Sequence, residues 1–167
     1  MGIYIALGSN LPFNTMPPQD VLRAALTDLP GVGVRVAAVS RFWRSPAWPD
    51  PSAPAYVNAV ARVETDLQPR ALLKALQAVE TKYGRQRSVP NASRTLDLDI
   101  LDYGGLFFDE AGLVLPHPRL AERAFVLLPL QDIAPDWVEP GEGRTLDQLV
   151  RGLAPAEAAK LHLLENS

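Results

Sequence analysis

The sequence predicts an α+β fold in which helices pack on one antiparallel sheet. Apolar runs of strand length alternate with two segments whose apolar residues recur at helical spacing, in the order strand, helix, strand, strand, helix, strand. These strands are too few and too closely spaced for a doubly wound parallel sheet. The chain has 167 residues, about the length of one domain. We therefore expect residues 1–167 to form a single ferredoxin-like βαββαβ domain, with helices on one face of its sheet and a C-terminal extension.

The first half of this unit begins with a strand over residues 3–7, which ends at the turn cluster Gly8-Ser9-Asn10. The following helix is capped by Asp20 and ends at Pro30-Gly31, because leucine and alanine recur at helical spacing between them. Residues 34–44 then alternate between two faces, which predicts one continuous strand.

The second half follows a proline-rich loop. Residues 45–54 contain four prolines, each of which lacks an N–H and restricts φ, so they cannot continue the strand. Residues 56–63 predict the next strand. Pro69 opens the second helix in its first turn, and Gly84 ends that helix in the left-handed conformation. Residues 96–103 predict the last strand of the unit.

The tail from residue 151 to residue 167 carries no recognisable motif, and the C-terminal third contains no membrane segment. Several prolines divide it into short pieces, with helices expected over residues 146–153 and 155–164. Residues 124–130 form the longest uninterrupted apolar stretch, which contains a proline and falls far short of the ~20 residues that a membrane span needs. Residues 1–10 do not show the pattern of a signal peptide.

Composition excludes several kinds of chemistry. Cysteine is absent, which excludes disulfides, thiolate zinc sites and a cysteine nucleophile. The formal net charge is −3, so the overall charge provides no electrostatic attraction to nucleic acid or to an anionic membrane. Neither a G-x-x-x-x-G-K-[ST] nor a G-x-G-x-x-G loop is present, so side chains must hold any nucleotide. We expect a soluble, cytoplasmic protein.

The most specific local feature is a pair of aspartates in the last predicted strand. Asp97 and Asp99 are two residues apart and project from one face, while Leu96, Leu98 and Ile100 project from the other. Aspartate is depleted in strands, and Mg²⁺ prefers one or two carboxylates together with water and phosphate oxygens. The pair predicts a magnesium site, with a solvated strand face as the alternative.

A basic segment precedes these aspartates. The residues between Glu80 and Asp97 include no acid but four cations, Lys82, Arg85, Arg87 and Arg94. Because the guanidinium fork suits bidentate contacts with phosphate, arginines on one side and a metal on the other could neutralise a polyphosphate. The alternatives are a solvated basic loop and a codon bias that favours arginine over lysine.

Aromatic and amide side chains indicate a place for a flat heterocycle. Tyr56, Trp48 and Phe125 could stack on a ring, although aromatic residues in so small a chain are more often part of the core. Asn58 lies two positions from Tyr56 on the same strand face, where its amide could pair with a ring edge. His117 lies between two prolines and by itself is typical of a polar loop.

Taken together, these residues resemble one known family. The strings that carry the resemblance are ALGSNL (6–11), SPAW (45–48), YVNAV (56–60), ALQAVETKYGRQR (75–87), RTLDLDIL (94–101) and PHPRLAERAFVLLPL (116–130). They resemble the 6-hydroxymethyl-7,8-dihydropterin pyrophosphokinase family of folate biosynthesis, from about residue 4 to residue 149. The resemblance implies a single pyrophosphokinase domain that transfers pyrophosphate from ATP to the pterin hydroxymethyl group and releases AMP.

The resemblance also implies roles for single residues. It implies that two Mg²⁺ ions are held by Asp97 and Asp99. The arginines that act on the phosphates during transfer would be Arg85 and Arg94. The implied ATP contacts are Gln77, Arg87, Ile100, His117 and Arg123. The implied pterin contacts are the stacking pair Tyr56 and Phe125, the ring-edge residue Asn58, and the segment that includes Ser45, Pro46 and Trp48.

The chain departs from the family pattern at several positions. Residues 88–93 lack the Arg-Trp pair that many members carry, which leaves the role of this loop open. Trp48 stands where a smaller aliphatic residue is common, and Pro118 replaces a tyrosine seen in some members. Glu80 occupies a motif position to which the resemblance assigns no role.

Two other classes of function remain open at this point. A non-catalytic small-molecule-binding module could use the same fold, and a metal-dependent hydrolase of phosphate esters could use the same carboxylates without an aromatic slot. The resemblance favours a monomeric enzyme whose partners are the small molecules ATP and the pterin, with no nucleic acid and no membrane.

Overall fold

The computed structural model describes residues 2–47, 50–85 and 93–164. Its strands are β1 (Ile3–Ser9), β2 (Arg35–Val39), β3 (Trp43–Ser45), β4 (Tyr56–Glu64), β5 (Asp97–Tyr103), β6 (Phe108–Glu110), β7 (Leu113–Leu115) and β8 (His162–Leu163). Its α-helices are α1 (Pro18–Asp28), α2 (Pro69–Lys82), α3 (Ala124–Ile133), α4 (Leu146–Arg151) and α5 (Pro155–Ala159). Short 3-10 helices cover Leu29–Val32 and Leu120–Glu122.

The main sheet is antiparallel, with β1 and β4 among its inner strands. β1 lies between β5 and β4, both β2 and β3 pair with β4, and β8 pairs with β3. β6 and β7 form a separate hairpin. The βαββαβ order and the antiparallel pairing confirm the ferredoxin-like architecture expected from the sequence.

Helices cover both faces of this sheet, so the expectation of helices on one face is wrong. α1 and α2 pack on the face that includes Ile5 and Ala61, which we call the first core. α3 and α4 pack on the opposite face around Tyr4 and Val60, which we call the second core. Because β1 and β4 carry apolar side chains on both faces, both faces must be covered.

Among the described residues, no helix is long and apolar enough to cross a membrane.

The second helix matches its prediction. α2 begins at Pro69, and its predicted inward stripe is buried, consisting of Leu72, Leu76, Val79 and Tyr83. Gly84 follows with φ of +78°, as expected for a left-handed residue after a helix. A Cβ at this position would lie 3.0 Å from the ring of Phe13, which gives a second reason for glycine.

Two local predictions in the first half are wrong. The strand expected over residues 34–44 is interrupted between β2 and β3, because the Ser40 hydroxyl accepts the Val60 N–H at 2.9 Å in place of a strand carbonyl. Asp20 does not cap α1. Pro17 occupies that position, and Asp20 lies in the first turn, where it pairs with Arg23 at 2.9 Å.

The C-terminal part differs from expectation in two places. α3 continues through Pro129, which is buried together with Leu127 and Leu130, so packing overrides the tendency of proline to break a helix. The helix expected over residues 155–164 ends at Ala159, and His162–Leu163 instead form β8. This short strand supplies hydrogen-bond partners to the edge of β3.

Candidate active site

The strand register places the predicted metal and pterin residues in one row across the sheet. Asp97 of β5 lies opposite Gly8 of β1, and Gly8 lies opposite Asn58 of β4. Residues opposite each other in antiparallel strands share a face, and two strand spacings of about 4.8 Å separate Asp97 from Asn58 by roughly 10 Å. Since Gly8 has no side chain, it leaves surface between the carboxylate and the amide uncovered.

Asp97 contacts both of the arginines that the resemblance assigns to the phosphates. Arg85 Nη1 donates to one carboxylate oxygen, and Arg94 Nη1 donates to the other at 3.1 Å. The side chain of Arg85 is 8% exposed, whereas that of Arg94 is 24% exposed. Arg85 is therefore the more firmly enclosed of the two, and Arg94 is the more accessible to a ligand.

Glu80, which had no role from the sequence, anchors this arrangement. Its side chain is 1% exposed, and Oε2 accepts hydrogen bonds from Arg85 Nη1 at 2.5 Å and from the backbone N–H of Leu98 at 2.8 Å. Glu80, a residue of α2, therefore fixes the positions of the Arg85 guanidinium and of the backbone between the two aspartates. A signal was present in the sequence, because Glu80 follows Leu76 by four residues on the apolar stripe of the helix.

Replacing Glu80 with alanine should lower the free energy of unfolding by about 3–5 kcal/mol, because it breaks a buried ion pair and leaves Arg85 buried. Glu80→Gln should cost less, since its amide oxygen can still accept the Leu98 N–H. Urea denaturation monitored by circular dichroism measures both. Glu64→Ala, which removes an exposed partner of Arg35, is the matched control and should cost less than about 1 kcal/mol. A Glu80→Ala variant as stable as the wild type would contradict this role.

Asp99 lies beside Asp97 on the same face of β5. Burial raises the pKa of Asp99 to about 7, and the charges of Asp97 and Glu80 act in the same direction. A divalent cation bound by both aspartates would offset the burial and the repulsion together. The charges of Arg123 and Arg85 act in the opposite direction on Asp99.

The donor set fits Mg²⁺ that arrives with a nucleotide. The described ranges hold no group of three or more His, Cys, Asp or Glu side chains suited to a metal ion. Mg²⁺ does not require such a group, because it commonly uses one or two carboxylates and completes its shell with water and phosphate oxygens. Asp97 and Asp99 can supply those two carboxylates.

His117 and Arg123 lie within electrostatic reach of the aspartates. Burial lowers the pKa of His117 to about 4, and the Arg123 charge acts in the same direction, so the ring is neutral at pH 7. His117 Nδ1 accepts the N–H of Arg119 at 3.1 Å, which places the ring proton on Nε2. Burial also lowers the pKa of Arg123, while the charge of Asp99 opposes the shift.

Three of the predicted pterin residues, Asn58, Ser45 and Tyr56, lie at the other end of the row. Asn58 Nδ2 donates to Ser45 Oγ at 2.8 Å, which orients the amide. A Cβ at Gly8 would lie 3.6 Å from Asn58 Oδ1 and 3.7 Å from Tyr56 Cδ1, so both side chains border the uncovered surface. Phe125 lies under the guanidinium of Arg123, 5.3 Å from its central carbon. The arrangement can accept a flat ring with hydrogen-bonding edges.

The remaining predicted site residues lie elsewhere in the fold or outside the described residues. Trp48 and Arg87 lie outside the described residues, so their assignments stay predictions. Ile100 projects into the first core, on the opposite face from the aspartates, so only its backbone can contact ATP. Gln77 is half-buried on α2, one turn before the buried glutamate, and Pro46 is exposed just after β3.

Two buried side-chain polar atoms have no hydrogen-bond partner within the described part of the chain, Arg85 Nε of this site and Thr95 Oγ1 just before β5. Buried polar atoms are nearly always hydrogen-bonded, so both are candidates for ligand contacts. Sequence reasoning missed Thr95, although a hydroxyl two residues before the first aspartate was an available signal.

Comparison with protein families decides the relationship of the chain. The model of the family described as 7,8-dihydro-6-hydroxymethylpterin-pyrophosphokinase (HPPK) matches residues 4–135, which include the whole row from Asp97 to Asn58. The chain belongs to the HPPK family. The match confirms the resemblance drawn from the sequence strings.

Curated relatives agree with this HPPK assignment. The chain is 41% identical over 150 residues to a 2-amino-4-hydroxy-6-hydroxymethyldihydropteridine pyrophosphokinase of Synechocystis, covering 89% of this chain and 74% of the relative. It is 41% identical over 160 residues to the protein of the same name from Haemophilus influenzae, covering 95% and 97%. A Pseudomonas aeruginosa protein of that name is 42% identical over 149 residues, covering 89% of each chain.

Solved structures support the HPPK fold. The crystal structure of wild-type Plasmodium falciparum HPPK-DHPS matches with a TM-score of 0.68 at 12% identity, covering 90% of this chain and 44% of that chain. A complex of that protein with SDX-DHP matches with a TM-score of 0.65 at 12% identity, covering 90% and 43%. This chain therefore spans less than half the length of those matched chains, and at such identity the likeness concerns the fold alone.

Proposed function

We propose that this HPPK-family chain transfers a pyrophosphoryl group from ATP to 6-hydroxymethyl-7,8-dihydropterin in folate biosynthesis. The observation that carries the proposal is the row across three strands. A carboxylate paired with two arginines stands at one end, and an oriented amide beside an aromatic ring stands at the other. The names of the curated relatives support the same activity.

The reaction exchanges one phosphorus–oxygen bond for another. The pterin hydroxyl oxygen attacks the β-phosphorus of ATP, and the bond from that phosphorus to the bridging oxygen of AMP breaks. The hydroxyl proton is released to solvent. The products are the pterin diphosphate and AMP. In phosphoryl transfer the protein mainly positions the reactants and stabilises charge.

In the proposed site, Asp97 and Asp99 would hold two Mg²⁺ ions. When bound, such ions stabilise the attacking and leaving oxygens and neutralise the phosphates. Arg85 and Arg94 already lie against Asp97, so their charges are positioned before substrate binds. They offset the negative charge of the transferred group during the reaction.

In the proposed site, ATP and the pterin are contacted by different side chains. His117 donates a hydrogen bond from Nε2, and Arg123 supplies a positive charge to the phosphates. Gln77, Arg87 and the backbone of Ile100 are the other proposed ATP contacts. Proposed contacts to the pterin are the aromatic pair Tyr56 and Phe125, the amide of Asn58, and the segment with Ser45, Pro46 and Trp48.

An assay for AMP release from ATP, with and without the hydroxymethyl dihydropterin, tests the proposal. We expect AMP only when the pterin is present, with loss of activity on chelation of Mg²⁺. AMP or phosphate release without the pterin would indicate a hydrolase instead. Binding of the pterin without turnover would indicate a non-catalytic module. The single-domain organisation, the monomeric state and the cytoplasmic location stay predictions.

A further inference from the structure

Asn10 is a buried residue of the ALGSNL string to which the proposed reaction gives no role. It directly follows β1, two residues after Gly8 of the active-site row, and is 2% exposed. Its amide therefore lies beside the site and away from solvent. Burial of a primary amide is costly unless its donors and its acceptor are all used.

The amide of Asn10 contacts two segments that are remote from each other in sequence. Asn10 Nδ2 donates to the carbonyl oxygen of Pro54 at 3.0 Å and to Ser93 Oγ at 3.1 Å. Asn10 Oδ1 accepts the backbone N–H of Arg94 at 2.7 Å. The Arg94 carbonyl in turn accepts the backbone N–H groups of Asn10 at 3.0 Å and of Leu11 at 3.2 Å.

These two segments serve the two substrates of the proposed reaction. Pro54 lies at the end of the proline-rich connection between β3 and β4, just before Tyr56. Ser93 and Arg94 lie before β5 and carry one of the phosphate arginines. Both segments are outside the strands, so sheet pairing does not position them. An amide suits the task because it donates twice and accepts once, which neither a hydroxyl nor a carboxylate can do.

We propose that Asn10 is a positioning residue that holds the pterin-side segment and Arg94 in a fixed relation to each other. The proposal rests on the proposed function for its kinetic consequence, but the physical link belongs to the free protein. Asn10→Ala removes all three side-chain hydrogen bonds to the two segments and leaves only the backbone bonds to the Arg94 carbonyl. Asn10→Asp keeps an acceptor for the Arg94 N–H but places a carboxylate oxygen against the Pro54 carbonyl.

Amide hydrogen exchange on the free protein tests the link without requiring activity. In Asn10→Ala we expect exchange at residues 50–56 and at residues 93–98 to be at least about tenfold faster, with β2 unchanged. In Asn10→Asp we expect the increase mainly at residues 50–56. Ser9→Ala is the matched control, since Ser9 is equally buried but its hydroxyl donates locally to the Leu11 carbonyl at 3.2 Å.

Steady-state kinetics then test the consequence. Asn10→Ala should lower kcat by at least about tenfold, because small misplacements of a charge-stabilising group are costly, and it should raise KM for the pterin. Asn10→Asp should retain more kcat than Asn10→Ala while still raising that KM. Ser9→Ala should keep both constants within about twofold.

The outcomes separate this inference from the proposed function. Faster exchange at one segment only in Asn10→Ala, no change, or a uniform increase that includes β2 would overturn the proposed link. Unchanged kinetics in a variant with faster exchange would overturn the positioning role. A wild-type protein without pterin-dependent AMP release would reject the proposed function, while the exchange data would still decide whether Asn10 links the segments.

Discussion

Asp97→Ala should reduce pterin-dependent AMP formation by about a thousandfold or more, while the fold is retained. The substitution removes a proposed magnesium ligand and the common partner of Arg85 and Arg94. Electrostatic terms of this kind carry most of the catalysis in phosphoryl transfer. The Asp97 side chain is 21% exposed and belongs to neither core, so its loss leaves no apolar cavity. Initial rates of AMP release at saturating ATP and pterin measure the effect.

The same result is expected for Asp99→Ala. Asp109→Ala, which removes an exposed acid of β6, is the control and should leave the rate within about twofold of the wild type. Circular dichroism and thermal melting report whether each variant folds. A folded Asp97→Ala protein that forms AMP at nearly the wild-type rate would exclude the metal role.

Arg94→Ala should lower kcat by about a hundredfold to a thousandfold, with a much smaller effect on ATP binding. Arg94 is more exposed than Arg85 and contacts Asp97 at 3.1 Å, whereas Arg85 is enclosed and is held in addition by Glu80. Removing Arg94 therefore leaves the carboxylate paired and the site assembled. What is lost is a positive charge that can act on the transferred group. Steady-state kinetics and equilibrium titration with a non-hydrolysable ATP analogue separate the two effects.

Two further variants sharpen this test. Arg94→Lys should recover only part of kcat, because an ammonium group cannot form the two parallel hydrogen bonds of a guanidinium. Arg35→Ala removes an arginine from an exposed pair with Glu64 and should not change the kinetics. An Arg94→Ala variant that differs from the wild type only in KM for ATP would contradict the role in transfer.

Much of the fold was predictable because its signals are local. Pro69, the apolar stripe of α2 and Gly84 set the bounds of that helix, and the structure follows them. The strand over residues 34–44 was not predictable in full, because its interruption depends on a bond between Ser40 and Val60. α3 and β8 were not predicted, because each also depends on contacts with remote segments. Pro129 is accommodated by packing, and β8 forms because β3 presents an edge.

The candidate site likewise combines residues that were predictable from one short segment with contacts that were not. Asp97 and Asp99 were predicted from alternation within one strand, and the structure keeps them on one face. The contacts of Glu80 and Asn10 could not be predicted, because each joins segments that are far apart in the chain. For Ile100 the sequence pattern placed the side chain on the core face, and the structure agrees, which limits an ATP contact to its backbone.

By itself the sequence determined the βαββαβ order, the paired aspartates and the family to which the chain belongs, since periodicity and motif strings are properties of short segments. Only the tertiary structure decided that Asp97, Gly8 and Asn58 form one row, that both sheet faces are covered, and that Asn10 joins two segments beside the site. The physical reason is that register and burial depend on contacts between remote segments, and these are settled only when the whole core packs.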